Sequence, residues 1–164
     1  MMNTIKSTIY TEAIFSDDEQ HRYLLKKTWD EKKPACTVIT MYPHLDSVLS
    51  LDLTTVLIFN QLVNSEQYGA VYFVNLFSNI KTLENLKHIK EPYDEHTDIY
   101  LMKAISESDT VILVYSAYAK RPVVVERVKQ VMEMLKPHKK KVKKLINPAT
   151  NEIMHPLNPK ARQK

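Results

Sequence analysis

Glycine is almost missing from this chain, Gly69 being the only one in 164 residues. Phosphate-cradling loops and dinucleotide fingerprints need several glycines where backbone must approach phosphate oxygens. A P-loop NTPase, a protein kinase and a Rossmann dehydrogenase are therefore disfavoured. Cysteine is equally scarce: Cys36 stands alone in the apolar run "ACTVIT". It reads as a small core residue in a reducing compartment rather than half of a disulfide. Cysteine and histidine pairs at zinc-ligand spacing are missing too, so neither a metal nor a cofactor is expected. No run approaches the ~18 apolar residues of a membrane span, and "MMNTIKSTIYTEAIFSDDEQ" lacks the apolar core of a signal peptide. The expected location is cytoplasmic, with no membrane partner.

What remains is a chain long enough to bury a core as one domain. The expected organisation is an N-terminal arm over 1–20, one α/β domain over 21–158 and a basic tail over 159–164. "RYLLKKTW" and "ACTVITM" are β-prone runs joined by the polar "DEKKP", the first expected as an antiparallel edge strand. "SLDLTTVLIFNQLVN" is apolar almost all round and, with Ser50 or Asp52 as cap, predicts a buried helix. "AVYFVNLF" predicts a strand, and "DEHTDIYLMKAISES" a helix with Ile99, Met102 and Ile105 on one stripe. "DTVILVY" is the next strand. Pro122 then opens a helix whose Val124, Val128, Val131 and Leu135 share a face, Pro137 ends it, and "KVKKLIN" is a weaker fourth strand. This alternation predicts an α/β fold: a three-layer α/β/α sandwich around a mostly parallel four-stranded sheet, with an N-terminal antiparallel edge strand.

The formal charge of +4 is unevenly spread. Lys136, Lys139, Lys140, Lys141, Lys143 and Lys144 lie in one short segment, and Lys160, Arg162 and Lys164 follow at the end. Such clustering suits a polyanion through counterion release. A solvated charged turn accounts for it equally well.

Ligands of open parallel sheets collect outside the carboxyl ends of the strands. There the first strand of the parallel set delivers Tyr42, Pro43 and His44, the second Asn75, the third Tyr115 and Ser116, and the segment after the fourth His155 and Pro156. Singly, each has an ordinary explanation, such as an asparagine closing a turn or an extended His-Pro dipeptide on the surface. Their order and shared rim carry more.

The proline-containing loop, the asparagine in "VYFVNLF", the "VILVY" strand and the late "HPL" together resemble the uracil-DNA glycosylase superfamily over roughly residues 35 to 160. The chain also looks close to a bacterial family of unknown function carried on mobile elements. That family shares the "RYLLKKTW" lead-in and usually has Asn-Pro-Ser where this chain has Tyr-Pro-His. The resemblance implies a glycosylase-like sandwich in which Asn75 reads the edge of an extruded pyrimidine, its carboxamide offering donor and acceptor side by side. It implies that His155 stabilises charge on the leaving base, and that Leu157 wedges into the base stack while Lys143, Lys144 and Lys160 track phosphates. Pro43, His44 and Phe77 would complete the base pocket, although Phe77 and Phe59 also suit the core. His44 stands where the best-known branch has a tyrosine that screens out thymine.

In active members an acid or asparagine before the first-motif proline positions water against the cationic sugar. Here Tyr42 holds that place. A neutral phenol is a poor general base at neutral pH and supplies no negative charge. Asp46 and Asp52 are better explained as turn and helix-start residues. The leading expectation is a pseudo-glycosylase that binds DNA, single-stranded or uracil-containing, or acts as decoy for a DNA-mimicking glycosylase inhibitor protein. Two alternatives stay open: an active glycosylase using Asn75 and His155 with an unorthodox water activator, and a nucleoside or nucleotide hydrolase on the same scaffold.

Overall fold

The computed structural model describes residues 1–43, 48–80, 90–114 and 122–144. Six runs rich in β-branched, aromatic and leucine residues pair into one sheet: β1 (Tyr10–Phe15), β2 (Arg22–Thr28), β3 (Ala35–Thr40), β4 (Ala70–Asn75), β5 (Thr110–Leu113) and β6 (Val142–Lys144). Their spatial order is β1-β2-β4-β3-β5-β6. The pairs β3/β4, β3/β5 and β5/β6 are parallel, whereas β2 runs antiparallel to β4 and β1 antiparallel to β2.

Among the described residues the sheet thus has six strands where four and a single edge strand were expected. The four parallel ones are the runs anticipated. The lead-in strand β2 is antiparallel as expected, yet it is interior, because β1 from the anticipated arm covers its outer side. Burial explains why: Leu24 and Leu25, on opposite faces of β2, are both buried. Lys27, 5 % exposed, places its amine on Thr11 Oγ1 of β1 at 2.9 Å. Burial holds the Lys27 amine below the usual lysine range.

Three helices occur among the described residues: α1 (Leu53–Asn64), α2 (Glu95–Ser106) and α3 (Pro122–Leu135), the last continued by a 3₁₀ turn, Lys136–Lys141. On one face of the sheet Ile58 and Leu62 of α1 pack with Leu25, Cys36, Val38, Val71 and Phe73. On the other, Leu101, Ala104 and Ile105 of α2 and Val124, Val131 and Leu135 of α3 pack with Leu24, Ile39, Val74, Val111 and Leu113. The molecule is a mixed α/β fold with β4 buried along its whole length. No described helix is long and apolar enough to cross a membrane.

Two local findings refine the sequence reading. Ile99 is 57 % exposed, and the buried face of α2 runs through Thr97, Leu101, Ala104 and Ile105 instead. A strict three-residue spacing drifts about 60° per step around a helix, so Ile99, Met102 and Ile105 cannot share one narrow face. Thr97 sets the rotation. It closes a capping box with Asp94, and its hydroxyl lies 2.7 Å from Ser78 Oγ.

The lone glycine also has its reason. The Gly69 carbonyl accepts from Trp29 N (2.8 Å) and Asp30 N (3.0 Å), and its amide donates to Pro34 O (2.9 Å). A Cβ there would stand 1.7 Å from the Asp30 carbonyl oxygen. The β2–β3 turn therefore lies directly on the backbone at Gly69, which only glycine permits.

Candidate functional site at the carboxyl rim

Because β3, β4, β5 and β6 are parallel, their carboxyl ends share one edge of the sheet. Register then joins two of the anticipated residues. Thr40, the last residue of β3, pairs with Asn75, the last of β4. The ladder continues past both strands, Leu76 N to Thr40 O and Phe77 N to Met41 O, each 2.9 Å. This continuation carries Tyr42 and Pro43 alongside the segment that follows Asn75.

Asn75 is 3 % exposed. Its amide nitrogen donates to Thr40 Oγ1 across the strand pair, while its carbonyl oxygen is buried with no hydrogen-bond partner among the described residues. A buried carboxamide oxygen left unmatched costs about 1–3 kcal/mol. Such a group is suited to meeting a donor brought by a ligand.

Tyr42 is half-buried and its ring packs against the apolar cluster that contains Leu76 and Phe77. Pro43 is buried beside it. Phe77 is fully buried, its ring 6.0 Å from that of Tyr93 at a tilted angle, so it supports the rim from the core rather than presenting a face to solvent. Phe59 packs edge-on against Trp29 at 5.2 Å on the opposite side of the sheet. Asp52 is the N-cap of α1, accepting from Thr55 N and Thr55 Oγ1, as its reading as a helix-start residue anticipated. His44, Asp46, Tyr115, Ser116, His155, Leu157 and Lys160 lie outside the described residues.

The lysine-rich segment is divided by the fold. Residues 136–141 precede β6, and the Lys141 amine donates to the Ile105 carbonyl at 3.1 Å, at the amino ends of the parallel strands. Exposed Lys136 pairs with Glu133 at 2.7 Å. Lys143 is exposed on β6, and Lys144 pairs with Leu113 at the carboxyl end of β5. Only Lys143 and Lys144 of this segment run toward the rim. Exposed apolar side chains are also found there: Val48 and Leu49 in the connection from β3, Leu53 at the start of α1 and Val123 at the start of α3.

Two groups of residues escaped the sequence reading. Arg127, 1 % exposed, donates from Nε to the Leu76 carbonyl at 2.7 Å and from Nη2 to Asp98 Oδ1 at 2.6 Å, and its guanidinium carbon lies 3.9 Å from the centroid of the Tyr93 ring. It holds the backbone immediately after Asn75. Its signal was a charged residue in phase with the apolar face of α3. The second group surrounds Asp94, whose carboxylate accepts from Tyr23 OH (2.7 Å) and Thr97 N (3.0 Å) and faces His21. Burial alone would raise the Asp94 carboxyl, but these donors and the nearby imidazole outweigh it and hold it below the usual range. The reciprocal effect, after burial itself, raises the Tyr23 phenol well above the ordinary tyrosine value. The Asp-x-x-Thr cap signal was legible at positions 94 and 97, but its link to His21 was not.

The chain belongs to the family described as "Protein of unknown function (DUF1643)", whose model matches residues 22–157 and so takes in β2 through β6 and both Tyr42 and Asn75. No curated protein and no solved structure matches it.

Proposed function

We propose that this family member is a uracil-DNA glycosylase-like protein of three-layer α/β/α build that keeps a base-recognition frame and has lost, or strongly reduced, base excision. It binds DNA or serves as decoy for a DNA-mimicking glycosylase inhibitor protein. The observation that carries the reading is Asn75: a buried carboxamide at the end of β4, anchored at one end by Thr40 and, among the described residues, unmatched at the other. That is the chemistry required to read the polar edge of a base, or of a protein group that imitates one.

Tyr42 supports the catalytic half of the proposal. It occupies the rim beside Pro43 with its ring packed against the core cluster, and it brings no carboxylate to activate water or to balance a cationic sugar. His155 and Leu157 keep the roles the resemblance implies. The exposed Val48, Leu49, Leu53 and Val123 favour a protein partner at this rim, because apolar surface gains from meeting other apolar surface and nothing from a phosphate backbone.

The test pairs two substitutions. Purified wild type should leave labelled uracil-containing single and double strands uncut, yet retain DNA or an acidic inhibitor protein in a salt-sensitive way. Asn75→Leu should weaken that retention at least tenfold while changing folding stability by less than about 1 kcal/mol, since the lost Thr40 bond is offset by removal of an unmatched buried oxygen. Tyr42→Asp should create uracil excision if the inherited pocket is intact. Retention unchanged by Asn75→Leu would remove the base-recognition reading, and excision by wild type that His155→Ala abolishes would establish the active-enzyme alternative.

A further inference from the structure

The geometry points to a divalent transition-cation site, of the zinc or manganese class, formed by His21, Glu91 and Asp94. One nitrogen or oxygen from each residue lies within 4.8 Å of the other two. The residues come from three places: the entry to β2, the segment before α2, and the cap of α2.

The buried imidazole makes this more than an acidic patch. His21 is 5 % exposed, and its Nδ1 lies 2.7 Å from Ser78 Oγ, which lies 2.7 Å from Thr97 Oγ1. Thr97 Oγ1 in turn donates to Asp94 Oδ1 and accepts from the Asp94 amide. Nδ1 of the ring is thus engaged by Ser78, and Nε2 is the nitrogen that lies toward Asp94.

Nε2 lies 3.9 Å from Asp94 Oδ2, beyond hydrogen-bond reach. That separation leaves room for a cation held by both atoms. Two ligands each about 2.1 Å from one ion stand about 3.4 Å apart in tetrahedral geometry and nearly 4 Å apart when the angle opens. Glu91 brings a second carboxylate to the same cluster. Glu91 is exposed, and its carboxylate has no hydrogen bond or ion pair among the described residues. Ser78 supplies the orienting hydrogen bond that metal-binding histidines require of their other nitrogen.

One imidazole and two carboxylates suit zinc or manganese better than calcium or magnesium, which prefer oxygen alone. Three protein ligands leave a position open. Asp94 also lines a cleft of about 460 Å³, together with Asp17, Asp18, Tyr23, His96 and Tyr100. The bound ion would fasten the start of β2 to the segment before α2, at the same end of the sheet as Asn75.

The test is isothermal titration of the chelator-treated full chain with zinc chloride, manganese chloride and magnesium chloride. One saturable site for zinc or manganese is expected, with magnesium binding at least about tenfold weaker. Glu91→Gln should weaken zinc binding at least about tenfold while leaving the metal-free melting temperature unchanged, since its side chain is exposed and makes no contact the fold depends on. His21→Gln should abolish the site. Absence of saturable binding, equal binding of magnesium, or zinc affinity unaltered in Glu91→Gln would each overturn the proposal.

Discussion

Replacing Arg127 by methionine tests how the rim is held together. Methionine keeps most of the apolar stem of the side chain and removes its charge and donors. The Leu76 carbonyl, in a residue that is fully buried, loses the Nε–H donor 2.7 Å away, a loss worth about 1–3 kcal/mol. The stacking of the guanidinium over Tyr93 adds up to about 2 kcal/mol in a desolvated setting. The ion pair with Asp98 adds little, because the Asp98 side chain is 40 % exposed and water takes over its hydration, so about 1 kcal/mol or less is lost there. Against these losses stands the relief of no longer burying a guanidinium, which can offset much of an ion pair when the replacement packs well. The unmatched carbonyl decides the balance, since methionine cannot satisfy it. A net destabilisation of about 3 kcal/mol is expected in urea denaturation, lowering the midpoint by about 1–2 M. Arg127→Lys should recover less than half of this, as a single ammonium cannot reach carbonyl, carboxylate and ring face together. A loss under about 1 kcal/mol for Arg127→Met would show that the segment after Asn75 is held by the strand ladder alone and would refute the role given to Arg127.

Three further outcomes follow from the same structure. Gly69→Ala should destabilise by at least about 3 kcal/mol, visible as a melting temperature lower by roughly 6–12 °C, because its Cβ would meet the Asp30 carbonyl oxygen at 1.7 Å; an unchanged melting temperature would mean that the β2–β3 turn is free to move away. Cys36 is fully buried and its thiol is pushed by burial to about 12, so at pH 8 a colourimetric thiol reagent should label it only at the rate of unfolding. Asp94 stays ionised below the usual carboxylate range, so its stabilisation is present above pH ~4 and is lost as pH falls through its folded value. The stability gap between wild type and Asp94→Asn should accordingly narrow in denaturation curves measured below pH 4, and a gap that stays constant down to pH 2 would contradict the hydrogen bonding assigned to that carboxylate.

Much of the local structure was legible because burial leaves a periodic trace along the chain. The unbroken apolar runs at Ala35–Thr40, Ala70–Asn75 and Thr110–Leu113 are strands covered on both faces. Asp52 announced the start of α1 and Pro122 that of α3. Even the placement of Tyr42 and Asn75 at one rim follows from parallel strands of known direction.

What periodicity cannot convey is which strands become neighbours and which polar atoms are left over once they do. That Thr40 holds one end of Asn75, that β1 covers β2, and that Arg127 reaches the Leu76 carbonyl depend on register and on helix rotation, which are settled by packing between distant segments. The His21, Glu91 and Asp94 cluster is the clearest case. Glu91 and Asp94 are three residues apart, but His21 precedes them by about seventy, so no ligand spacing announces the group, and only the folded chain brings its members together. The amino-acid order by itself determined which segments are buried and in what conformation, while the tertiary structure alone decided which of their polar groups face one another, because pairing across the sheet is a property of the assembled strands and not of any one of them.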